Sequence, residues 1–272
     1  MKFYKFTAAG NDFILIDSHF NDGTLKKMAL RLCQRRISIG ADGLLAVKKI
    51  DEDLLAVRYF NSDSSEAFCG NGSRSAAMFA YLTGLIKNRI FYLSTIRGRL
   101  EVEIINKERI KIEMPEINKI KKINILKRWR NINGIEEAYF LDSGVPHAVF
   151  LVKDLNKIEV NLYGRQLRHD SIWGKDGANI DFIEIKNKIV YVRTYERGVE
   201  EETLSCGTGI TACAVSVAFS NKIDFSNGYV KIISKTGDLF KVYLKKRENA
   251  ISDIYMEGPS KLVFRGEIDY KF

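Results

Sequence analysis

Two cysteines of the chain stand in the same setting. Residues 202–215, ETLSCGTGITACAV, place Cys206 at the mouth of a run of small apolar residues, and residues 66–81, EAFCGNGSRSAAMFAY, repeat the arrangement around Cys69. A helix N-terminus presents unpaired N–H groups and a partial positive charge, so a cysteine there should have a stabilised thiolate and a lowered pKa. The repeated setting predicts two reactive thiols.

The glycines beside these cysteines suit the binding of an anion. Gly70, Gly72, Gly207 and Gly209 allow close approach of the backbone to a ligand, and the free N–H groups of a helix start could hold a carboxylate. Two thiols on opposite sides of one carbon can invert a stereocentre, because one removes a proton and the other delivers a proton to the opposite face. The pattern therefore favours acid/base catalysis by the two cysteines over two buried structural thiols.

Redox and metal chemistry fit the cysteines and histidines less well. A redox pair would need Cys-x-x-Cys spacing, which no two cysteines have, and a zinc site would need paired ligands, whereas His19, His147 and His169 are isolated. Cys33 and Cys213 lie inside apolar helical faces and are predicted to pack. We expect no metal and no cofactor.

The second half of the chain repeats the first. Three pairs of segments match in the same order, as expected for two copies of one fold: residues 8–17 with 142–151, residues 59–72 with 194–209, and residues 98–116 with 237–259.

Each copy is predicted to be mostly strand around one helix. Alternating apolar residues predict a hairpin over residues 99–114. The segments beginning at Asn71 and Thr208 are apolar almost all round, as in a helix enclosed by other structure. A further helix is expected over 24–36. The predicted fold is α+β, with two similar domains of mostly antiparallel strands around a central helix and an active site in the cleft between them. We expect the domains to be 1–118, possibly with the last strand 262–272, and 119–261.

Composition sets the class of protein. The 272 residues are 46% hydrophobic and 28% charged, and no stretch is apolar enough for a signal peptide or a membrane span, so a cytoplasmic protein with reduced thiols is expected. The net charge of +9 raises nucleic-acid binding as a second function class, with residues 119–130 as the basic patch. That class leaves the duplicated cysteines unexplained, and the lysines are scattered, so we expect no nucleic-acid partner.

At these residues the chain resembles the diaminopimelate epimerase family. The motifs GNDFILID, IGADGLL, CGNGSR, GVPHAV, GANIDF, ERGVEEETLSCGTG and GPSKLVFRGE follow in the family's order over nearly the full length. The resemblance implies two similar domains, a homodimer, and cofactor-independent interconversion of LL- and meso-2,6-diaminopimelate in lysine and peptidoglycan precursor biosynthesis.

The resemblance also implies roles for individual residues. Cys69 and Cys206 would be the acid/base pair, with His147 and Glu196 near the reacting groups, and Arg197 would bind the distal carboxylate in a bidentate manner. The remaining substrate contacts are implied at four backbone N–H donors and three side-chain amides: Gly70, Asn71, Gly207 and Thr208, and Asn11, Asn61 and Asn179.

Three residues depart from the family's pattern. Val145 stands where many members carry Asn, Ala8 replaces a usual Gly, and Ser64 replaces another before Cys69. The Val145 change keeps a racemase of another amino acid on the same fold as an alternative. An isomerase of the phenazine-biosynthesis type fits less well, because it would use a single carboxylate rather than two cysteines.

Overall fold

The computed structural model describes residues 1–17, 20–117, 119–130, 132, 134–247 and 250–269. His19 and residues 270–272 of the expected last strand lie outside them. The chain divides into two compact units, Met1–Glu113 with Gly258–Phe272, and Met114–Glu257. The domain limits expected from the sequence, 118 and 261, fall a few residues beyond these points.

The first unit contains two helices among its strands. Its elements are β1 (Lys2–Ala8), β2 (Asn11–Asp17), α1 (Asp22–Leu32), β3 (Gly43–Asp51), β4 (Leu54–Asn61), β5 (Glu66–Ala67), α2 (Gly70–Leu82), β6 (Ile90–Thr95), β7 (Gly98–Asn106) and β8 (Arg109–Glu113).

Apart from one additional strand at its start, the second unit repeats the order of helices and strands of the first. It holds β9 (Ile120–Ile123), β10 (Ile135–Asp142), β11 (Pro146–Val152), α3 (Val160–Arg168), β12 (Asn179–Lys186), β13 (Ile189–Glu196), β14 (Glu201–Thr203), α4 (Gly207–Phe219), β15 (Tyr229–Ile233) and β16 (Leu239–Arg247), with single 3-10 turns at Lys127–Trp129, Leu155–Lys157 and Ser171–Trp173. Strand β17 (Ala250–Pro259) crosses the limit between the units, and β18 (Lys261–Glu267) belongs to the first.

Strand pairing follows one scheme in both units. In the first, β2 runs parallel to β3, β3 antiparallel to β4, β4 parallel to β6, and β6 antiparallel to β7. In the second, the same sequence of pairings joins β11, β12, β13, β15 and β16. The two-domain α+β class expected from the sequence is confirmed, with two parallel pairs in each unit among antiparallel ones.

One helix is enclosed in each unit, as predicted. Every residue of α2 from Asn71 to Ala80 is buried, and so is every residue of α4 from Gly209 to Ala218. Helix α2 contacts β1, β2, β7 and β8, and helix α4 contacts β11, β13, β15 and β16. Small residues such as Ala76 and Ala214 allow the strands to approach these helices on all sides.

Two helix predictions need correction. Helix α1 begins at Asp22, because the side chain of Asn21 accepts a hydrogen bond from the Thr24 N–H at 3.0 Å and caps it there. It ends at Leu32 rather than at residue 36, where the backbone turns left-handed (φ 70°). Helix α3 was not predicted at all. None of the described helices is long and apolar enough to span a membrane.

Candidate active site

Cys69 caps the N-terminus of α2. Its backbone is extended (φ −138°, ψ 112°), and its Sγ atom accepts a hydrogen bond from the Gly72 N–H at 3.3 Å. The thiol is half-buried. The first N–H groups of a helix have no partner within the helix, so Gly70 and Asn71 present donors beside this sulfur.

A chain of side-chain amides lies next to Cys69. The Asn71 amide donates to Asn11 Oδ1 at 2.7 Å, and the Asn11 amide donates to Asp42 Oδ2 at 2.9 Å. Buried Arg74 donates through Nη2 to Asn71 Oδ1 at 2.7 Å. The structure thus brings Asn11 and Asn71 together, and each of the two side-chain amides uses its oxygen and one N–H within this set of hydrogen bonds. Asp42 and Arg74, which hold these two amides in place, were not predicted from the sequence.

Asn61 ends β4 at the loop that precedes Cys69. Its amide donates to Ser65 Oγ at 2.9 Å, and its carbonyl accepts from the Ser64 N–H at 2.9 Å. Ser64 adopts a left-handed conformation with φ 73°, a region of backbone conformation that favours glycine. The side chain of Asn61 is therefore held by its own loop.

Cys206 caps the N-terminus of α4 in the same extended conformation. Its Sγ atom lies 3.3 Å from the Thr208 hydroxyl, and the Gly209 N–H also donates a hydrogen bond to it. Burial raises the pKa of the Cys206 thiol well above its usual range, and the carboxylates of Glu196 and Asp181 raise it further. The lowered pKa expected at this helix start is wrong for Cys206, because burial outweighs the helix dipole.

His147 links Cys206 to a buried carboxylate. Its Nε2 atom lies 2.9 Å from the Thr208 hydroxyl, and its Nδ1 atom lies 2.7 Å from Asp181 Oδ2. Asp181 Oδ1 accepts from the Thr194 hydroxyl at 2.6 Å. His147 and Asp181 are both fully buried. The sequence pointed to His147 but missed Asp181, whose signal was a charge inside an apolar strand, NIDFIEI.

Asn179, Glu196 and Arg197 lie close to this network. The Asn179 amide nitrogen is 3.3 Å from His147 Nε2, and its oxygen accepts from the Arg197 N–H at 2.7 Å. Burial raises the pKa of Glu196. Arg197 is half-buried, and within the described part of the chain its guanidinium makes no hydrogen bond or ion pair, so it can meet an anionic ligand.

The remaining cysteines behave as packing residues. Cys33 and Cys213 are buried, and burial raises the pKa of Cys33 to about 12 and that of Cys213 well above its usual range. Over residues 1–17, 20–117, 119–130, 132, 134–247 and 250–269, no cluster of His, Cys, Asp and Glu could hold a metal ion.

Solved structures with this fold come from isomerase-like and phenazine-related proteins. A phenazine biosynthesis protein of the PhzF family from Bacillus anthracis superposes with a TM-score of 0.76 at 16% identity, covering 98% of this chain and 98% of that one. A probable proline racemase from Agrobacterium radiobacter K84 gives 0.68 at 14% identity, covering 99% and 93%. These similarities show the fold alone: a two-unit α+β protein.

Sequence comparison then gives the family. The family model for diaminopimelate epimerase matches residues 3–120 and 139–263. Proteins named diaminopimelate epimerase are 35% identical in Hydrogenobaculum sp. (98% of each chain covered) and 36% identical in Methanocella arvoryzae (100% of this chain and 98% of the relative). The chain belongs to the diaminopimelate epimerase family, a family of isomerases.

Proposed function

We propose that this protein interconverts LL- and meso-2,6-diaminopimelate by two-base proton transfer between Cys69 and Cys206. It supplies a precursor of lysine and peptidoglycan and uses neither pyridoxal phosphate nor a metal. One observation carries the proposal: in a duplicated chain of this family, each unit places one cysteine at the N-cap of its enclosed helix.

The helix starts suit the carboxylate beside the reacting carbon. Gly70 and Asn71 on α2, and Gly207 and Thr208 on α4, offer N–H groups that lack helical partners. Such donors stabilise the negative charge that develops on the carboxylate as the α-proton leaves. They also stabilise the adjacent thiolate, so that one set of groups serves both binding and proton removal.

Arg197 supports the choice of a dicarboxylate. Its guanidinium is not engaged by described residues, and its backbone is fixed through Asn179. We infer a bidentate contact with the distal carboxylate. The side-chain amides of Asn11, Asn61 and Asn179 complete the proposed polar contacts.

The two thiols would exchange roles with the direction of reaction. The raised pKa keeps Cys206 protonated until a base accepts its proton, which suits a donor. When the opposite isomer is bound, Cys206 must give up that proton first, and we assign this support to His147 and Glu196. The proposal requires one substrate carbon to meet both sulfurs.

We further expect a cytoplasmic homodimer with a small-molecule substrate and no nucleic-acid partner. Sedimentation equilibrium would test the dimer, since a monomer at working concentration would contradict it. A salt-dependent gel shift with duplex and single-stranded nucleic acid would test the partner class.

The deciding experiment follows the substrate's α-hydrogen. Incubation with LL-diaminopimelate in D₂O, followed by chiral chromatography and mass spectrometry, should give early meso product labelled at the inverted carbon beside largely unlabelled substrate. A thiol carries one proton, so the proton delivered comes from the second thiol, which has equilibrated with solvent. Early product that keeps its original hydrogen would indicate a single base and end the two-cysteine proposal.

A substrate panel tests the second candidate. Val145 is apolar where many family members carry Asn, so a racemase of another amino acid is a specific alternative. Lysine, proline and histidine should not be racemised at rates comparable to diaminopimelate. Faster turnover of any of them would favour the alternative.

A further inference from the structure

The two cysteines have different surroundings at matching positions. In the second unit, His147 on β11 lies opposite Asn179 on β12, and in the first unit Phe13 on β2 lies opposite Gly43 on β3. Two residues after Asn179 on β12 comes Asp181, and two residues after Gly43 on β3 comes Leu45.

The next strands continue the contrast. Asp181 is opposite Thr194, whereas Leu45 is opposite Tyr59. The Tyr59 ring packs edge-on against Phe13 with centroids 5.8 Å apart. The positions that form a buried polar network behind Cys206 are thus filled by apolar and aromatic groups behind Cys69.

The donor and the acceptor of each hydrogen bond in the polar network behind Cys206 can be assigned. The Asn179 oxygen is identified by the hydrogen bond it accepts from the Arg197 N–H, so the other end of this amide is the N–H donor near His147 Nε2. The same nitrogen also lies 3.3 Å from Pro146 O and can donate one hydrogen to each acceptor. The Asp181 carboxylate can only accept, so in the neutral ring Nδ1 carries the hydrogen and Nε2 is the acceptor. That hydrogen is donated to Asp181 Oδ2 at 2.7 Å.

The same assignment continues through the Thr208 hydroxyl to the sulfur of Cys206. Because Nε2 accepts, the Thr208 hydroxyl donates to it at 2.9 Å, and the hydroxyl oxygen is left to accept from the Cys206 thiol at 3.3 Å. A continuous chain of hydrogen bonds joins the side chains of Cys206, Thr208, His147 and Asp181. Cys206 is only 7% exposed, and these hydrogen bonds connect its thiol to a base within the fold.

We propose that Asp181 is a positioning residue that orients His147 as the base for the Cys206 thiol, with Thr208 as the relay between them. The proton of the thiol passes to Thr208 Oγ1 as the proton of that hydroxyl passes to His147 Nε2. A thiolate and an imidazolium result, and the Asp181 carboxylate stabilises the imidazolium. Reversal of the two transfers restores the thiol. This inference rests on the proposed function for its catalytic meaning, but the tautomer it requires does not.

The first test measures the tautomer without substrate. The chain has three histidines, so long-range ¹H–¹⁵N spectra of ¹⁵N-histidine protein are simple, and a His147→Asn variant assigns the signal. We expect the Nδ1–H form of His147. The Nε2–H form in the wild-type protein would overturn the proposal whether or not the protein is an epimerase.

The second test measures the charge of Asp181. Asp181→Asn keeps the size of the side chain and should lower kcat by about 10²–10⁴-fold with little change in KM, as loss of such a carboxylate does in related hydrogen-bonded triads. Thr194→Val removes the other hydrogen bond to Asp181 and keeps its contact with His147, so it should lose less. A folded Asp181→Asn protein with unchanged kcat would overturn the proposal.

The relay itself is tested at Thr208. Thr208→Ser keeps a hydroxyl and should be less impaired than Thr208→Val, which has the same shape without it. If the residues act in one line, the double variant Asp181→Asn/Thr208→Val should be little worse than the more impaired single variant. Fully multiplicative losses would show that the two residues act separately. If Asp181→Asn fails to fold, the tautomer measurement on the wild-type protein still decides.

Discussion

A Cβ atom placed on Gly209 would lie 2.6 Å from Asp181 Oδ1. It would also lie 3.3 Å from Cε1 of His147. Real Cβ atoms do not approach an oxygen this closely, so the second glycine of CGTG is required for Asp181 to sit beside the start of α4. A Cβ atom placed on the corresponding Gly72 would lie 3.2 Å from Cδ2 of Leu45, a contact that a shift of a few tenths of an ångström would relieve.

The first prediction uses this pair of glycines. Gly209→Ala should displace Asp181 or His147 and lower kcat by at least about 10-fold, because a misplacement on the order of 1 Å in catalytic machinery can cost about 100-fold. Gly72→Ala is the matched change and should lose less, since Leu45 can yield. Kinetics and thermal melts of both variants would check this. Equal losses would show that helix packing, rather than the Asp181 contact, sets the requirement for glycine.

The second prediction concerns Arg197. Arg197→Lys replaces a planar fork by a point charge and should cost about 1.5–3 kcal/mol of transition-state binding, measured as kcat/KM for diaminopimelate. The exposed Arg165 on α3 provides a control, and Arg165→Lys should leave kcat/KM unchanged. Wild-type kcat/KM in a folded Arg197→Lys protein would mean that the distal carboxylate is bound elsewhere.

The third prediction concerns the two thiols. Cys69→Ser and Cys206→Ser should each lower turnover by at least about 10²–10⁴-fold, the usual contribution of a general acid or base, because serine is a far weaker acid of nearly the same size. Cys213→Ser is a matched change at a thiol within α4. It should affect stability more than kcat, because Cys213 is buried away from the helix start. Substantial turnover in either of the first two variants would remove that cysteine from the mechanism.

The fourth prediction is a pH dependence of stability. Burial alone would raise the pKa of Glu137, but hydrogen bonds from Tyr139, Lys122 and Lys222 outweigh it and lower the pKa to about 2. A carboxylate whose pKa is lower in the folded protein than in the unfolded chain stabilises the fold when the pH is above its unfolded pKa of about 4.3. This contribution is lost as the pH falls toward the folded pKa, near 2.

Glu137→Gln isolates this contribution. At pH 7 the variant should be less stable by about 1.5–3 kcal/mol, the usual range for hydrogen bonds to a charged group. Urea unfolding of both proteins at pH 7 and near pH 3 would measure the difference, which should narrow in acid. A difference that is the same at both pH values would show that Glu137 acts through packing rather than through its charge.

The positions of the two enclosed helices and the division into two similar units could be predicted from the sequence. The small apolar residues of α2 and α4 predict enclosed helices, and the cysteine, glycine and polar residue before each run predict where it begins, because these signals act within one helical turn. The repeat of the whole pattern predicts two similar units. Helix α3 was missed because Gly164 lies in its middle. A Cβ there would approach the Tyr195 ring to 2.5 Å, so this glycine serves close packing rather than a turn.

Only the tertiary structure decided the environment of Cys206. Asp181 lies 34 residues from His147, and His147 lies 61 residues from Thr208, so their contacts depend on strand register and not on local sequence. The pKa of the Cys206 thiol likewise depends on residues that are distant in the sequence. A helix start lowers it through nearby N–H groups, but burial and two carboxylates from other strands raise it, and desolvation in the folded core is the larger effect.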